Sequence, residues 1–535
     1  MPKLKRRIKL ISKKNPKKID KKKKLLKKPV KKNVKKQVSL KKRTKALKKI
    51  KKSPIEKRIK ISRFSFKRRD KNENPEEFHL KKGKYIPKIL RGMKDVFNEE
   101  IKIWNYVLKK TSDLAKSYGF EKIISPVLEE RLLFEKSTGL TSDVVEKQMY
   151  QFVDQGGNKV VLRPELTPSV ARAYIEQGMF NMSQPVKLYY FGPLFRYERP
   201  QTGRMRQFHQ FGLEILGSEK PVVDAQLILF SQTLFNNLNL KVSIQINSLG
   251  CAVCRKPYRT KLVAYLKSKQ KHLCLDCQRR LKINPLRILD CKNSECHKII
   301  SQAPQLVDDL CPDCRQHFVK VLEYLDEANV TYELNPYLIR GLDYYTKTVF
   351  EFLPIIEEKS KNKEINLEEK KEIKLEDNKK NEELEQENKL RSQSALGGGG
   401  RYDSLVETLG GRPTPAAGLA YGFERIVEEI KNQKSNIPKE RGPQIFLAQI
   451  GDMSTRRALK IFEELREHGF KVVENLSKDS LKVQMEIANK LGVKLTLILG
   501  HQEVLDKTII IRNMNTGNQE IVDQEKLIKE LKRRL

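Results

Sequence analysis

Apolar positions recur at helical spacing in the first ordered-looking stretch of the chain. Ile101, Trp104, Val107, Leu108, Leu114 and Ala115 follow it, with Asn98 placed to cap that helix and Glu99 and Glu100 in its first turn. Gly119 ends the helix, and residues 120–124 read as a strand. Helix and strand then alternate to about residue 250. Residues 315–326 read as helix, and strands resume near Tyr332. Residues 397–400 open a glycine-rich stretch, followed by predicted helices at 402–409 and 420–431. A polar linker, 432–442, leads to strands at 444–449, 471–473 and 495–499 and helices at 455–468, 481–491 and from Gln524. That pattern predicts a compact α/β domain over 443–535.

Two stretches lack any such pattern. Residues 1–69 carry 34 Lys and Arg against Asp20 and Glu56, a net +32 of the chain's +43, which leaves the remainder mildly basic. With so little apolar surface, a tail spanning 1–84 is expected to be disordered. It reads either as a salt-sensitive electrostatic tether for RNA or as a solvated charge run without a partner. Residues 356–394, almost free of apolar side chains, read as a charged low-complexity insertion between two strands. No stretch approaches the ~18 consecutive apolar residues of a membrane helix. The lysine-rich start lacks the apolar core of a secretory signal, so a cytoplasmic location is expected.

The segment with most chemistry is LYYFGPLFRYERPQTGRMRQFHQFGLEILG, 188–217. As two strands joined by a loop, it sets Phe208, Gln210, Gly212 and Glu214 on one face of the second strand and Phe211, Leu213 and Ile215 on the other. The second set is an ordinary buried face. The first is a ring, an amide, a gap and a carboxylate, which leaves floor space for a small ligand. Arg196 and Glu198 share a face of the first strand, and the loop adds Arg199, Arg204 and Arg206, planar forks suited to phosphates. His209 falls among the apolar residues and reads as structural.

FRYERPQTGRMRQFHQFGLE resembles motif 2 of the class II aminoacyl-tRNA synthetases in its histidyl form. GFEKIISPVLEERLLFEKSTG resembles motif 1, with Pro126 at the family's dimer interface, and GLAYGFERIV resembles motif 3. LIRGLDYYTKTVFEF (338–352) and GGGRYDSLVETLGG (398–411) resemble segments peculiar to the histidyl branch, and LRPELTPSVAR (162–172) also matches it. The likeness covers about 85–535 apart from the insertion. It implies an α+β catalytic core on an antiparallel sheet (85–250 and 315–431), a C-terminal anticodon-binding domain and a homodimer. It also implies histidine activation by ATP with Mg²⁺, then transfer to the 3′ end of a tRNA.

The resemblance assigns roles as well. Glu165, Thr167 and Gln210 hold the substrate's α-amino group; Glu214 and Tyr345, with Tyr344 nearby, read its imidazole. Arg196 and Arg340 flank the α-phosphate as the catalytic pair. Arg425 holds the γ-phosphate and stacks on adenine opposite Phe208, and Glu198 accepts from the adenine amino group. The 200–206 loop faces the acceptor end. A histidine-binding regulatory relative without an anticodon domain, and a nucleic-acid-binding protein on an old core, are the rival readings. The first is disfavoured by the 443–535 domain and by Arg196, Arg340 and Arg425; the second, by the intact pocket.

All eight cysteines lie in 251–314, as the pairs Cys251/Cys254, Cys274/Cys277, Cys291/Cys296 and Cys311/Cys314. Three are C-x₂-C, a zinc spacing. Eight thiolates make two structural Zn²⁺ sites. Sequential pairing is favoured and interleaved pairing is left open. The unit falls where the histidyl branch carries an insertion domain, and the bland alternative is eight free thiols.

Overall fold

The computed structural model describes residues 86–139, 142, 144–198, 205–355, 395–438 and 442–535. The basic tail, the 356–394 insertion, Arg199 and Arg204 lie outside them.

An eight-stranded sheet organises the first part of the described chain. Its strands run in the order Glu121–Lys122, Val186–Phe195, Gln207–Leu216, Ala416–Gly422, Gly397–Arg401, Thr346–Pro354, Val242–Ser248, Glu333–Leu334. The six central strands pair antiparallel, and the two-residue strands at the edges pair parallel. Phe211, Leu213 and Ile215 are fully buried on one face, as the alternation predicts. They pack with Trp104, Phe230, Val321 and Ile426, on the helices Asn98–Ser117, Val222–Asn237, Pro312–Glu327 and Phe423–Asn432. Each such side chain contributes about 1.5–3 kcal/mol. A second core, with Leu188, Tyr190, Leu194 and Leu216, lies on the other face together with residues of the cysteine-rich segment.

Several sequence readings change. Asn98 is no side-chain cap: Phe97 holds the N-cap position of Asn98–Ser117, and no side-chain cap bond is made, although Glu99 and Glu100 do occupy the first turn. The glycine run is itself a central strand, Gly397–Arg401, and the next helix is only Leu405–Thr408. Residues 420–422 end the strand Ala416–Gly422, so the following helix starts at Phe423. The cysteine-rich segment is helical, with Ala252–Ser268, Leu275–Ile283 and Ser294–Ile300.

The C-terminal part holds a mixed five-stranded sheet, Val472–Glu474, Ile445–Gln449, Leu495–Leu499, Thr508–Asn513, Gln519–Asp523, with the helices Asp452–Glu467 and Leu481–Leu491. Its last two strands were not foreseen. No helix among the described residues is long and apolar enough to cross a membrane.

Candidate active site

The Val186–Phe195 and Gln207–Leu216 strands pair antiparallel from Val186–Leu216 to Phe195–Gln207 and project their ends into a cavity of about 1120 Å³. Ten of the residues selected for histidine or ATP line it: Glu165, Thr167, Arg196, Glu198, Phe208, Gln210, Arg340, Tyr344, Tyr345 and Arg425. Glu214 does not. It lies beneath, about 1 % exposed. The Thr167 hydroxyl donates to its Oε1 at 2.7 Å, the Tyr190 hydroxyl to the same oxygen at 3.2 Å, and the Tyr402 hydroxyl to Oε2.

The predicted gap at Gly212 serves the neighbouring strand. A Cβ there would lie 2.2 Å from the Tyr190 ring, so the glycine makes room for that ring rather than for a ligand. Gly418 does the same for Glu214, whose Oε2 would be 1.7 Å from a Cβ. Tyr190, Tyr402 and Glu351 are the site residues that sequence reasoning missed. The one available signal was that Tyr402 and Glu351 sit inside the histidyl-type segments.

Burial dominates the electrostatics. It pushes the Glu165 carboxyl up to about 7, even though the nearby Arg196 charge and a 2.8 Å hydrogen bond from the Tyr344 hydroxyl favour the ionised form. Glu214 is pushed up to about 8, again by burial first, with the three hydroxyls opposing and the neighbouring Glu165 assisting. Glu165 Oε1 is buried without a hydrogen-bond partner among the described residues. An acceptor left open on a cavity wall suits a bound cation.

The arginines are held by fixed partners. Arg196 Nε donates to the Pro164 carbonyl at 3.0 Å, and its guanidinium lies 5.3 Å from the Phe208 ring centre. Arg340 pairs with Glu351, while its Nε has no partner among the described residues. Arg425 Nη1 donates to the Ala395 carbonyl at 2.7 Å. His209 has the structural part expected of it: its backbone N–H and Nδ1 meet Glu424 at 2.9 and 3.0 Å, and its ring packs against those of Trp104 and Phe191.

The cysteines gather into two sets of four, each with all sulfurs within 4.8 Å of one another. They are nested. Cys251 and Cys254 meet Cys311 and Cys314, while Cys274 and Cys277 meet Cys291 and Cys296. The sequential pairing favoured from spacing is therefore corrected: the helix starts at the entry and exit of the segment pack together and enclose the inner set. Backbone N–H groups of Cys311 and Cys274 point at Cys254 and Cys296 Sγ, each at 3.2 Å. Cys274 and Cys291, with Arg280 and Arg287, also line the cavity.

Comparison with known proteins gives concordant results. The family model described as histidyl-tRNA synthetase matches residues 92–355, and the one described as anticodon binding domain matches 444–534. A histidine–tRNA ligase of Acetivibrio thermocellus is 40% identical over 443 residues, 83% of this chain and 98% of that protein. One of Caldicellulosiruptor saccharolyticus is 41% identical over 448 residues, 83% and 99%. Among solved structures, the apo histidyl-tRNA synthetase of S. aureus superposes with a TM-score of 0.65 at 32% identity, covering 83% of this chain and 99% of that one.

Proposed function

The chain belongs to the histidyl-tRNA synthetase family, and from that premise we propose how its residues divide the work. The overall reaction is the family's: L-histidine and ATP give histidyl-adenylate and pyrophosphate, and histidine then passes to the 3′ end of its tRNA with release of AMP.

The first step brings two anions together. A histidine carboxylate oxygen attacks the α-phosphorus, and the bond to the β-phosphate breaks. Positioning and charge stabilisation therefore outweigh acid–base chemistry. Arg196 and Arg340, which both line the cavity, hold the α-phosphate oxygens. Arg425 takes the γ-phosphate and the adenine ring opposite Phe208, and Glu198 accepts from the adenine amino group. Glu351 and Glu428 on the cavity wall are hard oxygen donors that would hold Mg²⁺, which when bound would offset triphosphate charge. The substrate's ammonium takes the open oxygen of Glu165, with Thr167 and Gln210. Its imidazole is read by Tyr345, with Tyr344 alongside; Glu214, expected from the resemblance to join them, is instead bonded by Thr167, Tyr190 and Tyr402 and fixes the floor beneath. An analogue lacking ring nitrogens leaves buried polar groups unpaired there, which is rejected by factors on the order of 10⁴.

The observation that carries this reading is Glu165: a buried carboxylate with one open oxygen, in the same cavity as Arg196 and Arg340. Histidine-dependent ATP–pyrophosphate exchange tests it. Exchange should appear with histidine, fall sharply in Arg340→Ala, and show a raised histidine KM in Glu165→Ala. Unchanged kinetics in both variants overturns the assignment.

The same reading extends to structural zinc in each cysteine set. Cys251–Cys254, Cys251–Cys311 and Cys274–Cys291 sulfur separations are 3.7, 4.0 and 3.8 Å. They match the edge of about 3.8 Å that four Zn–S bonds of about 2.3 Å define in a tetrahedron. Metal analysis of the purified protein should give two zinc ions per chain. A homodimer through the Pro126 region is supported by the exposed apolar side chains Ile124, Leu128 and Leu132, and sedimentation tests it. The basic tail acts as an RNA tether in a cytoplasmic enzyme; deleting residues 1–80 should weaken RNA binding while leaving the aminoacylation rate unchanged.

A further inference from the structure

Arg255 stands one residue beyond Cys254, in the first turn of the helix Ala252–Ser268. Its Nε donates to the Leu249 carbonyl at 3.0 Å, and its Nη2 donates to the Tyr345 carbonyl. Burial disfavours its charge, and Asp343, Cys251, Cys254 and Cys314 lie near enough to favour it. The two backbones that it bridges are already joined. Leu249 N–H donates to the Lys347 carbonyl at 2.6 Å, and Lys347 N–H donates to the Gly250 carbonyl at 2.9 Å. A second tie comes from the inner cysteine set. Asn284 follows the helix Leu275–Ile283 that carries Cys277, and its Nδ2 donates to Asp343 Oδ1 at 3.0 Å. Both sets are thus tied to the 343–345 segment, whose Tyr344 and Tyr345 line the cavity.

We propose that Arg255 is a positioning residue for the amino-acid pocket, coupling metal occupancy of the outer cysteine set to the placement of Tyr345. The inference rests on Tyr345 as a histidine contact and on the cysteines as zinc ligands. The outer set fixes the first turn of Ala252–Ser268 against the start of Pro312–Glu327, and so fixes where Arg255 stands. The guanidinium fork spans two carbonyls at once, which a lysine ammonium cannot do with the same rigidity. Release of the metal frees that turn and, with it, the carbonyl behind Tyr345. The insertion then governs histidine binding before any tRNA is present.

The test uses the full chain in pyrophosphate exchange without tRNA, with bound zinc measured on the same samples. Arg255→Gln and Arg255→Lys should raise the histidine KM about tenfold, well within what a displacement of about 1 Å behind a binding group produces. The ATP KM and kcat should stay within about twofold, with zinc content unchanged. Arg255→Lys keeps the cation beside the thiols, which guards against loss of the fold. Stripping zinc from the parent chain with a chelator should raise the histidine KM similarly, and should add nothing in Arg255→Gln. An unchanged histidine KM in zinc-replete Arg255 variants, or in the zinc-stripped parent, overturns the coupling. Tyr345→Phe separates the failures. If it raises the histidine KM and the Arg255 variants do not, the coupling alone is wrong. If it leaves the KM unchanged, the assignment of Tyr345 falls first.

Discussion

With Glu165 as the proposed ammonium site, its raised pKa should make histidine affinity depend on pH beyond what the substrate's own titration explains. Burial places the carboxyl near 7, and its Oε1 has no partner among the described residues. A bound ammonium stabilises the ionised form, so below about pH 7 binding must expel a proton from Glu165. Well below that point each pH unit weakens binding about tenfold, or about 1.4 kcal/mol; from pH 7, where the group is half ionised, to pH 5.5 the loss through this group is about 16-fold. The substrate's imidazole, with a pKa near 6.5, adds its own slope. Glu165→Gln removes the first slope and leaves the second. At pH 8 the variant also lacks a charge-assisted hydrogen bond of about 1.5–3 kcal/mol, which raises its histidine KM about 10- to 100-fold. Histidine KM from pyrophosphate exchange, measured between pH 5.5 and 8.5 in both proteins, gives the decisive quantity. The ratio of variant to parent should be large at pH 8 and shrink toward one as pH falls through 7. A ratio that stays constant across that range refutes the linkage.

Three further outcomes are expected. Glu165 and Glu214 are both raised, to about 7 and about 8, so the folded protein holds protons that the unfolded chain releases above about pH 4.5. Their contribution to stability is full below that pH and is lost as pH rises through 7 to 8. The melting temperature of the ligand-free protein should therefore carry a falling component over pH 5–8.5, and Glu214→Gln should reduce it; an unchanged profile contradicts the burial argument. Nested cysteines predict that Cys254→Ser with Cys314→Ser leaves one zinc per chain, whereas Cys254→Ser with Cys277→Ser leaves none; sequential pairing gives the reverse in metal analysis. Arg401 is fully buried and bonds Asp224, Asp403 and the Ser218 and Lys220 carbonyls, while His317 and Thr348 also hold Asp224. Arg401→Ala strands the Asp224 charge and should destabilise by about 3–5 kcal/mol in denaturant unfolding; a loss under about 1 kcal/mol contradicts that role.

Local pattern was enough where local pattern decides. Leu481–Leu491 and Leu495–Leu499 match the sequence reading to the residue, because an amphipathic run ends at Gly492, in left-handed conformation, and a buried apolar strand follows. It failed where the reason for a residue lies across the sheet. Glycine is a poor strand former, yet Gly397–Arg401 is central because Cβ atoms would strike neighbours: at Gly398 the Phe350 carbonyl at 2.5 Å and Arg340 Nη1 at 2.7 Å, and at Gly399 the Gly418 carbonyl at 2.1 Å. The strand exists because its neighbours need it thin. Cysteine pairing failed for a related reason. A C-x₂-C spacing states that two thiols can share a site, but only helix packing decides which other two join them.

Parity along a strand assigns a face but not a depth, and the candidate site turns on depth. Gln210 and Glu214 stand on the same face of one strand four residues apart, and the sequence treats them alike. Gln210 meets the cavity; Glu214 is sealed under Gly418 and bonded by hydroxyls of Thr167, Tyr190 and Tyr402, which lie 47, 24 and 188 residues away along the chain. Those partners keep a buried carboxylate saturated with donors, as an unpaired one in that position would cost several kcal/mol. Glu165 has the opposite arrangement: one donor, one oxygen with no partner among the described residues, and a place in the cavity lining. Under the proposed assignment, two carboxylates of the same motif set do different work, the saturated one fixing the shape of the pocket floor and the unsaturated one leaving a charge for the substrate to complete.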